Sequence, residues 1–488
     1  MSNLRRSLFV AESFVFIYFN PNKLENQEFI SRWCDSLLYP IQTFDDMDLC
    51  VDYLTDLRDQ VFLILADISC ETVVPLIHDL PQLVHIYIVC EKITEEEDWM
   101  KSWKKIQIIS NDTVVMFDQF HRHVRHASES SVPVSVTKPS SPTNPNKLDP
   151  SFMYSLLLKE VILQFEYNEK AKKQFVDFSR ENASKFMTSL AKIDEFEQHY
   201  TSQSAIWWYT KEPFIYFTMN HALRTNNVDV IMKMDFYIQD LYRELEKLRS
   251  NAEQNTKITL YRGQGMSITE FQYVQYGEGS FLSFNSFLST SCTKSISYFF
   301  ADAARHNPDL VGVLFIMEID PSFSTVPFAS LDGLSHHGEE QEILFSMNTI
   351  FRIAKTEIID DRLWEVNLIL TDDTDPQLTE LTEHIRKVTD GSGAICQLGS
   401  LMIEMGQHDL AEVYYVELLD KYAADNNYES LAHMHNQMGY LCYDKNDLSR
   451  ATFHVNRCLE IISQHLPSDH PILAAVYNSQ GMIFKRGK

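Results

Sequence analysis

The chain has 488 residues, of which 44% are hydrophobic, 12% aromatic and 23% charged. Its 42 basic residues against 68 acidic ones give a formal net charge of −26, so nucleic acid and anionic membrane surfaces are disfavoured as partners. No apolar run reaches the roughly 18 residues that cross a bilayer, and the length allows about two to four domains.

The chain begins with MSNLRRSLFVAESFVFIYF, in which two arginines precede apolar residues as they do in a secretory signal. Glu12 interrupts the apolar run and no small-residue cleavage pattern follows, so this stretch predicts the first strand of a domain. Eight cysteines form no CxxC pair, which is typical of reduced thiols. We therefore expect a cytoplasmic protein.

Residues 1–125 alternate short apolar runs with helical patterns. The runs typical of strands are Phe14–Phe19, Ile41–Phe44, Val61–Ala66, Val84–Val89 and Ile106–Ile109. Amphipathic stretches at Glu25–Leu38 and Met47–Leu57 separate some of them. The alternation predicts a parallel sheet with helices on both faces, and we expect a flavodoxin-like α/β domain.

Polar residues stand at the predicted strand ends of this domain, where such folds bind ligands. They are Asn20, Asp45, Asp46, Asp67 and Asn111. The sequence lacks the acid pair and the strand-end lysine of a phospho-receiver, and it has no glycine-rich phosphate loop. We therefore expect a regulatory or protein-interaction module.

Residues 126–150, HASESSVPVSVTKPSSPTNPNKLDP, are rich in Ser, Pro and Asn without periodicity, which predicts a linker.

Residues 151–375 begin with helical patterns, including Pro213–Leu223 and Asp229–Leu248. Their aromatic residues have helical spacing, which favours packing in a core over stacking on a cofactor. Strands follow at Ile258–Tyr261, Gly279–Leu288, Val313–Ile319, Ile343–Phe345, Ile350–Ala354 and Leu363–Leu370. This order predicts one α+β domain.

Residues 376–488 contain an internal repeat. The segment QLGSLMIEMGQHDLAEVYYVELL is similar to QMGYLCYDKNDLSRATFHVNRCL, and Gly399, Gly439 and Gly481 recur at spacings of 40 and 42 residues. Each unit predicts two helices joined by a short turn, with small residues where the helices approach closely. With Leu466–Gly481, LPSDHPILAAVYNSQG, the units resemble the tetratricopeptide repeats of kinesin light chains.

That resemblance implies all-α repeats that bind a protein or peptide partner. Two and a half repeats are marginal for independent stability. We therefore expect either that the array packs on the preceding domain or that it belongs to a longer series.

Three stretches of residues 151–375 combine predicted strands with polar groups. Arg262-Gly263 ends a predicted strand. A guanidinium held in place there is suited to bind a phosphate, although most Arg-Gly pairs are structural turns. Ser289-Thr290-Ser291 closes the apolar stretch Phe281–Ser291 and places hydroxyls at a strand end. Glu340 and Glu342 precede an apolar strand, and in an extended chain their carboxylates share one face. Two such carboxylates either bind a cationic group or transition state, or lie in solvent at the start of a strand.

Two competing motifs are excluded. The segment RGQGMS lacks the third glycine and the βαβ context of a dinucleotide-binding loop. His336 and His337 are adjacent and have no matching ligand spacing, so the sequence predicts no metal site.

In their order, Arg262, Ser289-Thr290-Ser291 and Glu340-Gln341-Glu342 resemble the R-S-E signature of mono-ADP-ribosyltransferases. The likeness covers about residues 150–372 and includes SAIWWYTKEPFIYFTMNHALRT, which is similar to the family's helical lobe. It implies an α+β catalytic domain over residues 151–375 that uses NAD as co-substrate and needs no metal. It also implies an acceptor protein with an exposed arginine.

The resemblance implies roles for the residues that would bind NAD. Arg262 would hold the NAD phosphate, and the Gly263 backbone would hold the nicotinamide amide. Ser289 would hydrogen-bond the cofactor and orient the catalytic glutamate, while Thr290 and Ser291 would shape the strand end. Phe300, eleven residues after Ser289, would lie against the nicotinamide, although Tyr298 and Phe299 are close alternatives.

The resemblance also implies which carboxylates act. Cleaving the bond between nicotinamide and ribose develops an oxocarbenium-like cation, which Glu342 would stabilise. Glu340 would engage an arginine acceptor, because a guanidinium stays protonated at neutral pH and needs a carboxylate to bind it. The loop Gly333–Glu339 would meet the target, and it lacks the aromatic residue that the family often uses there.

Three functions remain open from the sequence. The first is transfer of ADP-ribose to arginine, the second is hydrolysis of NAD by water, and the third is an inactive scaffold of the same fold. The intact Arg, Ser-Thr-Ser and Glu-x-Glu elements argue against the third.

Overall fold

A computed structural model describes much of the chain. The described residues are 14–20, 41–57, 60–66, 70–80, 82–89, 103, 105–110, 134–137, 150–164, 169–183, 188, 190–211, 213–250, 257–305, 307, 309–320, 326–334, 342–371, 375–379, 393–404 and 406–486.

Near the N-terminus lies a five-stranded parallel sheet in the order β2-β1-β3-β4-β5. Its strands are β1 (Phe14–Phe19), β2 (Ile41–Phe44), β3 (Gln60–Ala66), β4 (Leu83–Val89) and β5 (Ile106–Ser110), with helices α1 (Met47–Asp56) and α2 (Cys70–Ile77). Every predicted strand is present because continuous apolar runs suit buried parallel strands. The order is one that flavodoxin-like sheets use, while membership of that fold stays a prediction.

Two predictions for this region have different outcomes. The side chain of Asp46, predicted at a ligand-facing strand end, caps α1 by accepting from the Leu49 backbone N–H at 3.0 Å. The predicted helix Glu25–Leu38 lies outside the described residues.

In the described residues, seven helices follow, and all but one strand of the second sheet come after them. The helices are α3 (Pro150–Gln164), α4 (Glu169–Glu181), α5 (Leu190–His199), α6 (Ala205–Lys211), α7 (Pro213–Thr225), α8 (Val228–Lys233) and α9 (Asp235–Ser250). The aromatic residues predicted to form a core do so, since Trp208 and Phe214 are buried in one cluster. The predicted single helix Asp229–Leu248 is wrong, because α8 ends at Lys233 and α9 begins at Asp235, with Met234 as the C-cap between them.

The second sheet has nine strands in the order β11-β12-β9-β7-β10-β14-β13-β8-β6. They are β6 (Val134–Val136), β7 (Ile258–Ser267), β8 (Phe281–Phe284), β9 (Leu288–Ser291), β10 (Leu310–Ile319), β11 (Phe328–Ser330), β12 (Glu342–Phe345), β13 (Thr349–Asp360) and β14 (Leu363–Leu370). Helix α10 (Ile268–Gln275) follows β7, and helix α11 (Lys294–Ala304) follows β9.

Two predictions for this sheet need correction. The stretch Phe281–Ser291 is two strands that pair apart from each other: β8 pairs with β13 and β6, whereas β9 pairs with β12 and β7. Strand β6 lies inside the predicted linker, so residues 134–136 belong to the edge of this sheet.

The C-terminal region forms helix pairs, α12 (Gly393–Glu404), α13 (His408–Ala424), α14 (Tyr428–Asp444), α15 (Leu448–His465) and α16 (Ile472–Arg486). A Cβ added at Gly399 would lie 2.2 Å from the Tyr415 hydroxyl, and one at Gly439 would lie 2.9 Å from Val455. These two glycines therefore permit the close helix contacts that the repeat predicted, whereas Gly481 has open space. Assignment to tetratricopeptide repeats stays a prediction.

The C-terminal helices share a core with the helices that precede the second sheet. Tyr154 and Val161 of α3 belong to one buried cluster with Leu398 of α12 and Tyr415 of α13. The C-terminal helices therefore pack on the helices that precede the second sheet, while the domain boundary near residue 375 stays a prediction.

The N-terminal sheet also contacts helix α11, which follows β9 of the second sheet. His85 on β4 stacks on Phe299 of α11, with ring centroids 6.1 Å apart and an interplanar angle of 13°. Among the described helices, none has both the length and the hydropathy that crossing a membrane requires.

Candidate active site

The three signature elements lie on three neighbouring strands. Arg262 is on β7, Ser289 is on β9 and Glu342 begins β12, and these strands follow one another in the sheet as β12-β9-β7. The pairing places Glu342 opposite Ser291, and Ser291 in turn opposite Tyr261. Side chains that face each other across antiparallel strands share a face of the sheet, so Glu342 projects on the same face as Ser291 and Ser289, whereas Thr290 projects on the other face.

Glu342 is 8% exposed. Its backbone carbonyl accepts from the Leu331 N–H at 2.9 Å, which ties the start of β12 to the turn that follows β11. A carboxylate this buried on a sheet face lined by serines is costly in the absence of polar surroundings, and it suits a partner that carries positive charge.

The three hydroxyls of β9 have different roles. Thr290 Oγ1 donates to the Ile343 carbonyl at 2.8 Å and so braces β9 against β12. Ser291 Oγ accepts from the Thr293 N–H at 3.0 Å, just before α11. Ser289 is 4% exposed, and within the described part of the chain its hydroxyl has no hydrogen-bond partner. Both its donor and its acceptor capacity can therefore serve a ligand, whereas Ser291 retains its donor.

Arg262 links β7 to β9 through its side chain. Its Nη1 donates to the Ser289 carbonyl at 2.8 Å, and its Nε donates to Gln264 Oε1 at 3.1 Å. The side chain is 4% exposed. The sequence predicted a phosphate ligand here; these hydrogen bonds give the guanidinium a further role, which is to hold the backbone of the serine strand.

Gly263 points to the opposite face of β7 from Arg262, and α11 packs there. A Cβ at Gly263 would lie 1.7 Å from the Ser297 carbonyl oxygen, and one at Gly312 would lie 2.0 Å from the Ala301 carbonyl oxygen. The missing side chain of Gly263 therefore leaves room for the backbone of α11. The contact of the Gly263 backbone with the nicotinamide amide stays a prediction.

Phe300 lies on α11 and is partly buried, with its ring 5.8 Å from that of Phe299 in an edge-to-face arrangement. Of its alternatives, Phe299 stacks on His85 and Tyr298 is 39% exposed. Phe299 packs against the N-terminal sheet. The predicted contact with nicotinamide would therefore be made by Phe300 or Tyr298.

Part of the predicted site lies outside the described residues. Glu340, Gln341 and the histidines His336 and His337 are among residues 335–341, which the structure does not describe. The described part of the target loop ends at Leu334. In the described part of the chain, no three His, Cys, Asp or Glu side chains form a group that could hold a metal.

Sequence reasoning missed Gln264. It is fully buried and bonded to Arg262. A signal was present, since Gln264 falls two residues after Arg262 and therefore on the same face of a predicted strand.

Comparison with known proteins identifies the domain. Residues 159–375 match the family described as ART: NAD:arginine ADP-ribosyltransferase. The match spans less than half of the chain, and it shows an ADP-ribosyltransferase family domain that includes the three strands described above. Among curated proteins, none matches the chain significantly.

Several solved structures are similar to this chain. One is Vis toxin, an ADP-ribosyltransferase from Vibrio splendidus, with 23% identity over 44% of this chain and 92% of that chain and a TM-score of 0.28. Another is the ADP-ribosyltransferase HopU1 of Pseudomonas syringae pv. tomato DC3000, with 17% identity, 43% and 100% coverage and a TM-score of 0.29. A third is Plx2a, an ADP-ribosyltransferase toxin from Paenibacillus larvae, with 16% identity, 41% and 96% coverage and a TM-score of 0.27. The family match, and not these likenesses, identifies the domain.

Proposed function

We propose that this chain transfers ADP-ribose from NAD to arginine side chains of proteins and releases nicotinamide. The observation that carries the proposal is the alignment of Arg262, Ser289 and Glu342 on three neighbouring strands, inside a domain that matches the ADP-ribosyltransferase family.

The chemistry follows from the bond that breaks. When the bond between ribose C1′ and the nicotinamide nitrogen is cleaved, the electron pair leaves with nicotinamide and positive charge develops on the ribose. A carboxylate fixed beside that carbon before the reaction lowers the free energy of this transition state. Burial of Glu342 supports this role, because a buried charge acts with less screening than one in water.

Ser289 would orient Glu342 and hydrogen-bond the cofactor. Its hydroxyl has no partner in the described residues and projects from the same face as Ser291, the residue opposite Glu342. Arg262 would contact the NAD phosphate, and the Gly263 backbone would contact the nicotinamide amide. Thr290 and Ser291 would shape the strand end, and Phe300 would lie against the nicotinamide ring.

Glu340 would select the acceptor. An arginine nucleophile is protonated at neutral pH, so it must be bound by a carboxylate and lose one proton as its nitrogen bonds to C1′. Glu340 would supply that carboxylate. We expect Glu340→Gln to retain hydrolysis of NAD and to lose transfer to arginine; equal transfer by this variant would remove the role given to Glu340.

The other regions would direct the enzyme. The C-terminal helices, as tetratricopeptide-like repeats, would bind a protein or peptide partner. The N-terminal α/β domain would be a regulatory module in a cytoplasmic protein. Its contact with α11 through His85 and Phe299 supports a regulatory link to the proposed NAD site.

The test is incubation of the protein with NAD labelled in its ADP-ribose part, with and without agmatine. Released nicotinamide together with label on agmatine is the result we expect. Free ADP-ribose alone would mean hydrolysis in place of transfer. No nicotinamide release under either condition would contradict the proposal and leave an inactive scaffold.

A further inference from the structure

We propose that Gln264 is a positioning residue that holds Arg262 in the one orientation from which it fixes Ser289. This inference rests on the proposed function, in which Ser289 and Glu342 contact the NAD that reacts.

The surroundings of Gln264 are the first reason. Its side chain is 0% exposed, and it shares a face of β7 with Leu260 and Met266, which belong to the core of the sheet. A buried amide costs free energy unless it is hydrogen-bonded. The bond from Arg262 Nε to Gln264 Oε1 offsets that cost, and it provides a buried acceptor for a buried cation.

The shape of the guanidinium is the second reason. Its five N–H donors lie in one plane, so fixing Nε also fixes the direction in which Nη1 donates. With Nε held by Gln264, Nη1 meets the Ser289 carbonyl at 2.8 Å. Without the acceptor, the guanidinium would lose the bond that fixes its Nε.

The way in which β7 meets β9 is the third reason. The described ladder between these strands registers one pair, Tyr261 with Ser291. Ser289 lies two residues from Ser291 on β9. There the link between β7 and β9 is the hydrogen bond from Arg262 Nη1 to the Ser289 carbonyl. Strand β12 pairs with β9 in a fixed register, with Leu344 opposite Ser289 and Glu342 opposite Ser291. The position of β9 therefore also determines the position of Glu342.

The variants follow from this geometry. Gln264→Met keeps the volume and removes the acceptor, whereas Gln264→Glu keeps an acceptor for Arg262 Nε. Gln272 is exposed on α10, so Gln272→Met is the matched control. We expect Gln264→Met to lower kcat for nicotinamide release about 10- to 100-fold with a smaller change in KM for NAD, because small misplacements of reacting groups have such effects. Gln264→Glu should recover most of that loss.

A double-variant comparison separates positioning from loss of stability. In an Arg262→Lys background, Gln264→Met should change kcat by less than about threefold, because the residue acts through Arg262. Losses that multiply in the double variant would overturn the inference. So would a lower Tm of Gln264→Met with kcat unchanged in the folded protein.

Hydrogen exchange gives a readout that does not depend on activity. Peptides that cover β9 should exchange faster in Gln264→Met and in Arg262→Lys, and not in Gln272→Met. If the wild-type chain releases no nicotinamide but β9 responds in this way, the proposed function fails while the positioning stands. Unchanged exchange in β9 would overturn the positioning whatever the activity.

Discussion

Lys421 of α13 and Asp235 of α9 form an ion pair of 2.6 Å across the contact between the C-terminal helices and the helices that precede the second sheet. The Asp235 side chain is 4% exposed, and burial raises the pKa of its carboxyl group while Lys421 lowers it. Close by, Lys233 of α8 lies 3.2 Å from Glu417 of α13. The C-terminal helices are thus joined to the ADP-ribosyltransferase domain by ion pairs, one of which includes the buried Asp235, as well as by a shared core.

Removing Lys421 should therefore destabilise the whole region. We expect Lys421→Met to lower the free energy of unfolding by about 3 kcal/mol, because it leaves a buried carboxylate without its cation. Adding Asp235→Asn should restore most of the loss. Urea unfolding measures both values. Lys257→Met is the control, since Lys257 is exposed and its partner Asp320 is 3.6 Å away. Equal effects of the two lysine substitutions would contradict the buried pair.

Glu417 should make stability depend on pH. Burial and then Asp229 raise the pKa of Glu417 to about 7, against the opposing effect of Lys233. Since the folded protein keeps this proton up to about pH 7 and the unfolded chain loses it near 4.5, the contribution of Glu417 to stability falls as pH rises between these values.

Glu417→Gln should flatten that dependence, by at most about 3 kcal/mol between pH 4.5 and 8. Chemical unfolding at several pH values measures it, with Glu246→Gln as the control because Glu246 is exposed on α9. A pH profile that Glu417→Gln leaves unchanged would show that Glu417 keeps an ordinary pKa.

The sequence predicted strands well where apolar runs are continuous. Phe14–Phe19 was predicted with the bounds that the structure has, because burial on both faces selects such runs. Leu363–Leu370, where buried and more exposed residues are mixed, was also predicted with its bounds. The break at Met234 was not predicted, since helical periodicity continues across it. Strand β6 was missed because a three-residue strand in a Ser- and Pro-rich stretch forms through its tertiary pairing with β8.

Gly263→Ala should test the packing of α11 on β7. The new Cβ would meet the backbone of Ser297, which cannot move without moving the helix, so we expect a loss of about 3 kcal/mol in unfolding free energy. Gly481→Ala is the control, because Gly481 has open space in a helix and alanine should add up to about 1 kcal/mol. If Gly263→Ala is as stable as the wild type, α11 does not pack as described.

Ser289 and Thr290 should separate activity from stability within one strand. Ser289→Ala should lower nicotinamide release at least about tenfold with little change in Tm, because its hydroxyl has no partner in the described residues. Thr290→Val should cost about 1 kcal/mol in unfolding free energy, because it removes the bond to the Ile343 carbonyl. The reverse assignment of the two effects would contradict the roles given to these hydroxyls.

The sequence predicted the order of the three site elements along the chain. It did not predict the hydrogen bonds among their residues. The strand patterns around Arg262, Ser289 and Glu342 indicated three strands, but adjacency of β7, β9 and β12 depends on tertiary pairing that periodicity does not contain. For the same reason the sequence did not indicate that α11 packs against Gly263 or that Gln264 bonds to Arg262.

The central claim is that Glu342 acts on the ribose of NAD, and the rate of nicotinamide release by Glu342→Gln tests it most directly. Glutamine keeps the size and removes the charge, so we expect the rate to fall at least about 100-fold while the protein stays folded. Glu318→Gln, at an exposed position of β10, should retain wild-type activity. Nicotinamide release by folded Glu342→Gln at the wild-type rate would contradict the account.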